Sequence, residues 1–259
     1  MIALVTGASS GIGEATARRL AQERDAHVVL LARREDRLQQ LAAELPSASY
    51  IAADLTDPDA AARIAQEFGA QHGRLDLLVN NAGAAWRGTF ADIGHEGVKR
   101  HMDLNFDAVL RLTEALLPLL RDSAPSAIVN VASVAGRVSR ANSGAYSASK
   151  FALIGWSDAL YGEEAPHGVH VGLVLPGFVA TEGFPQKELV NRPATRWMVS
   201  TPEKVAEAIV DAGLRRKAER YVPRPYAIFP ILRTLAPGFV RRMTGADNIV
   251  TPQTGESSR

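Results

Sequence analysis

The run Thr6-Gly7-Ala8-Ser9-Ser10-Gly11-Ile12-Gly13 follows directly on the apolar stretch Ile2-Ala3-Leu4-Val5 and opens an amphipathic segment, Ile12 to Glu23. Glycines at these places remove Cβ atoms where a chain must turn sharply out of a strand and where a ligand can approach the backbone. A helix N-terminus just beyond such a turn offers free amides and a positive dipole end, which suit a pyrophosphate. Glycine-rich turns also occur without ligands, but the first strand-to-helix turn of an open sheet favours the phosphate reading. No Gly-Lys-Ser/Thr follows, so the turn is not a Walker A loop.

The rest of the chain repeats the alternation. Strand-like runs are Ile2 to Val5, His27 to Leu31, Ser49 to Ala52, Leu75 to Val79, Ala127 to Val131, Val169 to Leu175 and a short one at Arg220 to Val222; amphipathic segments include Glu35 to Glu44 and Ala60 to Gln71. Near-continuous apolar strands separated by helices predict a parallel sheet covered on both faces. Right-handed crossovers then give a doubly wound, Rossmann-type α/β sheet of about seven strands. No repeat or linker divides the 259 residues, so one domain is expected over 1–222. The segment 223–250 is expected to be an extension packed on that domain or at an interface, and 251–259 a disordered polar tail. Phe178 to Ser200, with Pro185, Pro193 and Gly183, breaks the pattern and is expected to be a binding loop or lid.

Composition excludes several function classes. A formal net charge of +1 argues against nucleic acid as a partner. The absence of cysteine excludes disulfides and thiolate chemistry, and six histidines without ligand spacing give no reason to expect a metal. No apolar stretch reaches membrane-span length, and no basic segment precedes the first strand, so a cytoplasmic protein is expected.

The second strand is expected to end near Ala32, where an acidic residue would bind a ribose diol and select NAD. The chain reads Leu31-Ala32-Arg33-Arg34 instead. Two guanidinium groups in place of a carboxylate can pair with a 2′-phosphate, so NADP(H) is expected over NAD(H). Arg33 and Arg34 could also simply begin a solvated helix.

Tyr146 and Lys150 stand four apart in Gly144-Ala145-Tyr146-Ser147-Ala148-Ser149-Lys150, and Ser133 lies upstream. In a helix that spacing stacks phenol and ammonium on one face. A free tyrosine titrates at about 10, and a nearby cation draws that value toward neutrality. Alone, the pair is a weak signal.

Together, these elements resemble the short-chain dehydrogenase/reductase family from residue 1 to about 220. The ordered set is Thr6-Gly7-x-x-x-Gly11-Ile12-Gly13, Asp54, Asn80-Asn81-Ala82-Gly83, Asn105, Ser133, Tyr146-x-x-x-Lys150, and Pro176-Gly177 followed by Thr181. The resemblance implies that Ser133, Tyr146, Lys150 and Asn105 form a catalytic set for hydride transfer between a carbonyl and an alcohol. Tyr146 would be the general acid or base, Lys150 would lower its pKa and bond the nicotinamide ribose, Ser133 would steady the oxyanion, and Asn105 would hold a water leading from Lys150 to solvent. The cofactor would lie on Gly7, Ser9, Ser10, Gly11, Ile12 and Gly13, with Asp54 at the adenine, Asn80, Ala82 and Gly83 along the ribose, and Pro176, Gly177, Val179 and Thr181 at the carboxamide. Asp54 could equally cap a helix, and Asn80-Asn81 could be only a turn.

Substrate and partners are less determined. Trp86 and Phe178, beside Phe90, Val134 to Asn142, Phe184, Leu189, Trp197 and Met198, suggest an apolar pocket for a small or apolar carbonyl substrate. Arg87, Arg140 and Arg196 could instead bind a carboxylate or a carrier phosphate. The family habit implies a homodimer or homotetramer through the helices carrying Leu110, Leu112, Leu116 and Leu117, and Phe151, Ile154 and Trp156. Pro223 to Met243 mixes apolar residues with arginines and could touch a membrane, cover the substrate mouth or pack on a sister subunit. The alternative function is an NADP(H)-binding redox sensor or scaffold acting through this extension.

Overall fold

The computed structural model describes residues 1–182, 191 and 196–245. Seven strands form one parallel sheet: β1 (Ile2–Thr6), β2 (His27–Ala32), β3 (Ala48–Ala52), β4 (Leu77–Asn80), β5 (Ser126–Val131), β6 (Val169–Pro176) and β9 (Glu219–Val222), in the order β3-β2-β1-β4-β5-β6-β9. The fold class is as the alternation predicts. Every residue of β5 and of β6 is buried, which is why both read as near-continuous apolar runs rather than alternating ones. The strand expected from Leu75 starts at Leu77, while Leu75 itself is fully buried beside it.

Two layers of helices cover the sheet. Ala17 and Leu20 of α1 (Gly11–Leu20), Leu38 and Leu41 of α2 (Glu35–Glu44), and Val205 and Ile209 of α7 (Pro202–Gly213) seal one face. Ile64 and Phe68 of α3 (Ala60–His72), Leu112, Leu116 and Leu120 of α5 (Ala108–Asp122), and Leu160 of α6 (Gly144–Glu164) seal the other. Leu112, Leu116 and Ile154 are therefore core residues of one chain, whereas Phe151 on α6 is exposed. A turn of π-helix, Asp103–Asp107, joins α4 (Phe90–Met102) to α5. Thr89 and Asp92 form a capping box at the start of α4.

The chain winds outward from β1 in both directions, so the turns after β1 and β4 diverge and leave a crevice at the carboxyl ends of the strands. Val5 pairs with Val79 at the lip of that crevice. Of the irregular stretch after β6, the short strands β7 (Phe178–Val179) and β8 (Val199–Ser200) pair in parallel; Phe184, Pro185, Leu189 and Pro193 lie outside the described residues. The extension forms a short 3-10 turn at Arg224–Ala227, α8 (Ile228–Leu235) and α9 (Pro237–Gly245). The expected tail at 251–259 lies outside the described residues.

Candidate active site

A cleft of about 1160 Å³ runs along the carboxyl ends of the strands. That exceeds the space that ordinary small ligands fill, so it suits a dinucleotide with a second molecule beside it. The expected cofactor residues line it except Gly13 and Asn80, and of the expected catalytic residues only Asn105 lies behind the wall. Of the expected substrate residues Trp86, Phe178, Val134 and Met198 line it, Phe90 and Trp197 do not, being exposed, and Phe184 and Leu189 lie outside the described residues.

The glycine turn is built as a cradle. Gly7 has a φ of +66° and Gly11 of +59°, a region that side chains rarely adopt. A Cβ at Gly13 would stand 2.1 Å from the Gly7 carbonyl oxygen, so Gly13 serves the cleft from beneath by letting α1 press on the turn. Ser10 occupies the N-cap of α1 without capping it through its side chain, which leaves that helix end open to an anion. These features fit a bound pyrophosphate.

Arg34 crosses the same turn. Its Nη2 donates to Ser10 Oγ at 2.7 Å and to Ser9 Oγ at 3.0 Å. Arg33 is largely exposed, with Nη1 3.6 Å from the Asp54 carboxylate. Burial raises the Asp54 carboxyl, but bonds from the amide and hydroxyl of Thr56, together with Arg33, hold it below the usual carboxylate range. Asp54 thus makes the turn contact allowed for it and still lines the cleft.

Asn80 corrects an expectation. Its Nδ2 donates to Thr113 Oγ1 at 3.1 Å and to Asn130 Oδ1 at 2.9 Å, and the residue is buried between β4, β5 and α5. Asn80 stands in register with Asn130 of β5, and bonding to it and to Thr113 turns the side chain into the fold rather than the cleft. Asn81, Ala82 and Gly83 form the cleft wall instead. Thr6 Oγ1 fixes that wall by accepting from the amides of Asn81 and Ala82, both at 2.9 Å.

Tyr146 and Lys150 lie on one face of α6, as their spacing predicts, opposite Ser133 at the end of β5. Burial pushes the Tyr146 phenol above its ordinary value, while hydrogen bonding with Ser133 and the charge of Arg140 pull it back. Arg140 is a further cation whose charge bears on the phenol. Lys150 is buried, its ammonium is pushed down to about 8 by loss of solvent, and Nζ donates to the Val131 carbonyl at 2.9 Å. Ser133 Oγ accepts from the Ala135 amide and lies 3.3 Å from the Pro176 carbonyl oxygen. Its one proton can go to Pro176 or into the cleft.

Asn105 sits fully buried in the π-helical turn. Its amide exchanges two hydrogen bonds with the backbone of Ala84 and donates a third to Ser149 Oγ. The neighbouring Gly83 leaves no room for a side chain: a Cβ there would lie 2.9 Å from Asn105 Oδ1 and 3.5 Å from Lys150 Nζ.

The substrate end contains Trp86 and Phe178, as expected, with two residues not singled out from the sequence: Tyr226 on the cleft and His101 packed behind its wall. His101 is buried; its Nε2 accepts from the Trp86 amide at 3.1 Å, and its ring meets the Trp86 and Tyr146 rings edge-on. Tyr226, from the extension, packs so closely on Gly177 that a Cβ there would be 2.7 Å from the ring. The His101 signal was its place on the helix leading to Asn105, whereas Tyr226 carried none. Arg100 lies over Trp86 at 3.9 Å and Arg140 over Phe178 at 5.0 Å, so two walls are aromatic rings faced by cations.

A family model for short chain dehydrogenases matches residues 1–189. The ketoacyl reductase HetN of Nostoc sp. is 36% identical over 220 residues, covering 83% of this chain and 76% of HetN. The crystal structure of a short-chain dehydrogenase from Streptomyces avermitilis superposes with a TM-score of 0.80 at 31% identity, covering 93% of this chain and 96% of that one. The Pseudomonas aeruginosa RhlG/NADP active-site complex superposes with a TM-score of 0.75 at 33% identity, covering 85% and 93%.

Proposed function

The chain belongs to the short-chain dehydrogenase/reductase family of oxidoreductases, and on that premise we propose that it is an NADP(H)-dependent reductase of small or apolar carbonyl compounds. The observation that carries this reading is the convergence of the Tyr146 phenol and the Ser133 hydroxyl on one end of a cleft whose other end is the uncapped glycine turn. Family members use nicotinamide cofactors, which supply a hydride when bound. Preference for the 2′-phosphate form rests on Arg34 over Ser9 and Ser10 and on the absence of an acidic side chain at 32–34. Two neighbours lend support: one is a ketoacyl reductase, the other an NADP complex.

In this reading Tyr146 gives its proton to the carbonyl oxygen, and Ser133 turns its hydroxyl from Pro176 to donate to the same oxygen as charge develops there. Lys150 reaches past Gly83 to the ribose hydroxyls, and Asn105 keeps the Gly83-Ala84 wall at the right distance. Aromatic walls at Trp86, Phe178 and Tyr226 exclude water around an apolar substituent. Exposed Phe151 on α6 is the contact proposed for a homodimer or homotetramer.

The test is NADPH oxidation at 340 nm against ketones, aldehydes and β-ketoacyl thioesters, with Tyr146→Phe alongside. Turnover that collapses in the variant is expected. NADPH binding without turnover of any carbonyl would overturn the enzyme assignment in favour of a redox sensor.

A further inference from the structure

Helices α8 and α9 are fastened to the body by one side only. Phe229 stacks on Tyr226 at 5.3 Å between ring centroids, Val240 is buried, and the Thr244 carbonyl accepts from the Ala141 amide at 3.3 Å. A helix docked this way normally turns polar residues outward. Here the outward side chains are Ile228, Ile231, Leu235 and Phe239, exposed by 49, 53, 78 and 62%. They are half of the exposed large hydrophobic residues among those described, gathered within residues 228–239. Core packing therefore does not account for them.

Charge chooses between the remaining occupants. Arg224, Arg233, Arg241 and Arg242 are interspersed with these residues along the same segment, and no Asp or Glu occurs from 223 to 245. A second copy meeting this face across a two-fold axis would set the same arginines against each other. An anionic bilayer satisfies both features: apolar side chains enter the acyl boundary while guanidinium groups reach lipid phosphates. Among the described residues no helix is long and apolar enough to cross a membrane, so contact would be peripheral. Phe229, Met243 and Thr244 of the same helices line the cleft, which puts the patch at its mouth.

We propose that α8 and α9 form a peripheral docking surface for anionic membranes, with the substrate cleft opening beside the lipid. The inference does not depend on the reaction assigned above. Its test is co-sedimentation of the full chain with phosphatidylcholine vesicles, with and without phosphatidylserine. Binding is expected only to the anionic vesicles and should weaken with salt. R241Q/R242Q should reduce the partition coefficient about thirtyfold, from the loss of two surface cations. L235D/F239D should abolish sedimentation. Both variants should keep wild-type NADPH affinity and melting behaviour, which separates lost docking from lost folding. Should R241Q/R242Q alone remain folded, its salt-dependent loss decides the question. Absence of wild-type sedimentation, or equal binding to neutral vesicles, would overturn the proposal. So would a dimer in size-exclusion chromatography that L235D/F239D dissolves without any vesicle binding in the wild type.

Discussion

Asn105 holds Ala84 by both backbone groups, accepting from its amide and donating to its carbonyl oxygen, each at 2.9 Å. The π-helical turn that carries Asn105 thereby sets the position of the wall at Gly83, against which Lys150 lies. Asn105→Ala leaves two part-buried backbone groups of Ala84 without this partner, a cost of up to about 1–3 kcal/mol each where water cannot replace the amide. The expected outcome is a lower melting temperature together with a fall in kcat. A variant of normal kcat would show that the wall position does not matter to turnover.

Arg34 and Arg33 start from different positions but should act alike. Arg34 is already oriented over Ser9 and Ser10, whereas Arg33 is exposed beside Asp54. A bond between charged groups contributes about 1.5–3 kcal/mol, so removing either arginine should raise the KM for NADPH by roughly tenfold to a hundredfold. NADH should be little affected. Equal changes for both coenzymes would remove the 2′-phosphate assignment.

Arg140 bears on the phenol after burial and Ser133. Its charge opposes the upward push of burial on Tyr146, so Arg140→Leu should raise that pKa further. Reduction needs the protonated phenol, and the alkaline limb of kcat/KM for the carbonyl substrate should therefore move to higher pH. A limb that moves down, or not at all, would show that Arg140 does not act on Tyr146.

Lys150 should give a second, separate limb. Its ammonium titrates at about 8 in the free protein because burial disfavours the charge. As pH rises through that value the charge is lost, and kcat/KM for NADPH should fall. Lys150→Arg stays charged throughout this range and should not show that limb. A wild-type profile flat through pH 8 would refute the assignment.

Gly13 is the most constrained position of the turn. A methyl group there meets the Gly7 carbonyl at 2.1 Å, and backbone cannot yield as a side-chain end can. Gly13→Ala should cost at least about 1–3 kcal/mol of overpacking and weaken NADPH binding as the turn is displaced. Thermal melts with and without NADPH measure both.

The sheet was legible because its central strands are buried on both faces and read as near-continuous apolar runs, as at Val169 to Leu175, interrupted only by His170 and Gly172. The spacing of Tyr146 and Lys150 was legible because a helix turns a sequence interval into a shared face. Neighbours within such an interval do not reveal where a side chain's polar end goes. Asn80 reads like its neighbour Asn81, yet it is tied to Thr113 and Asn130 inside the fold. Lys150 stands one helical turn from Tyr146, yet Nζ bonds Val131.

Local sequence determined the glycine turn, the strand and helix order, and the residues able to face the cleft, because propensity, periodicity and steric need act over a few residues. Contacts between distant segments decided the rest. Arg140 bears on Tyr146, Tyr226 fills the space above Gly177, and α8 and α9 turn their apolar side outward, because packing brings separate parts of the chain together. Burial and charge at each group are sums over those neighbours, and only the folded chain fixes which neighbours they are.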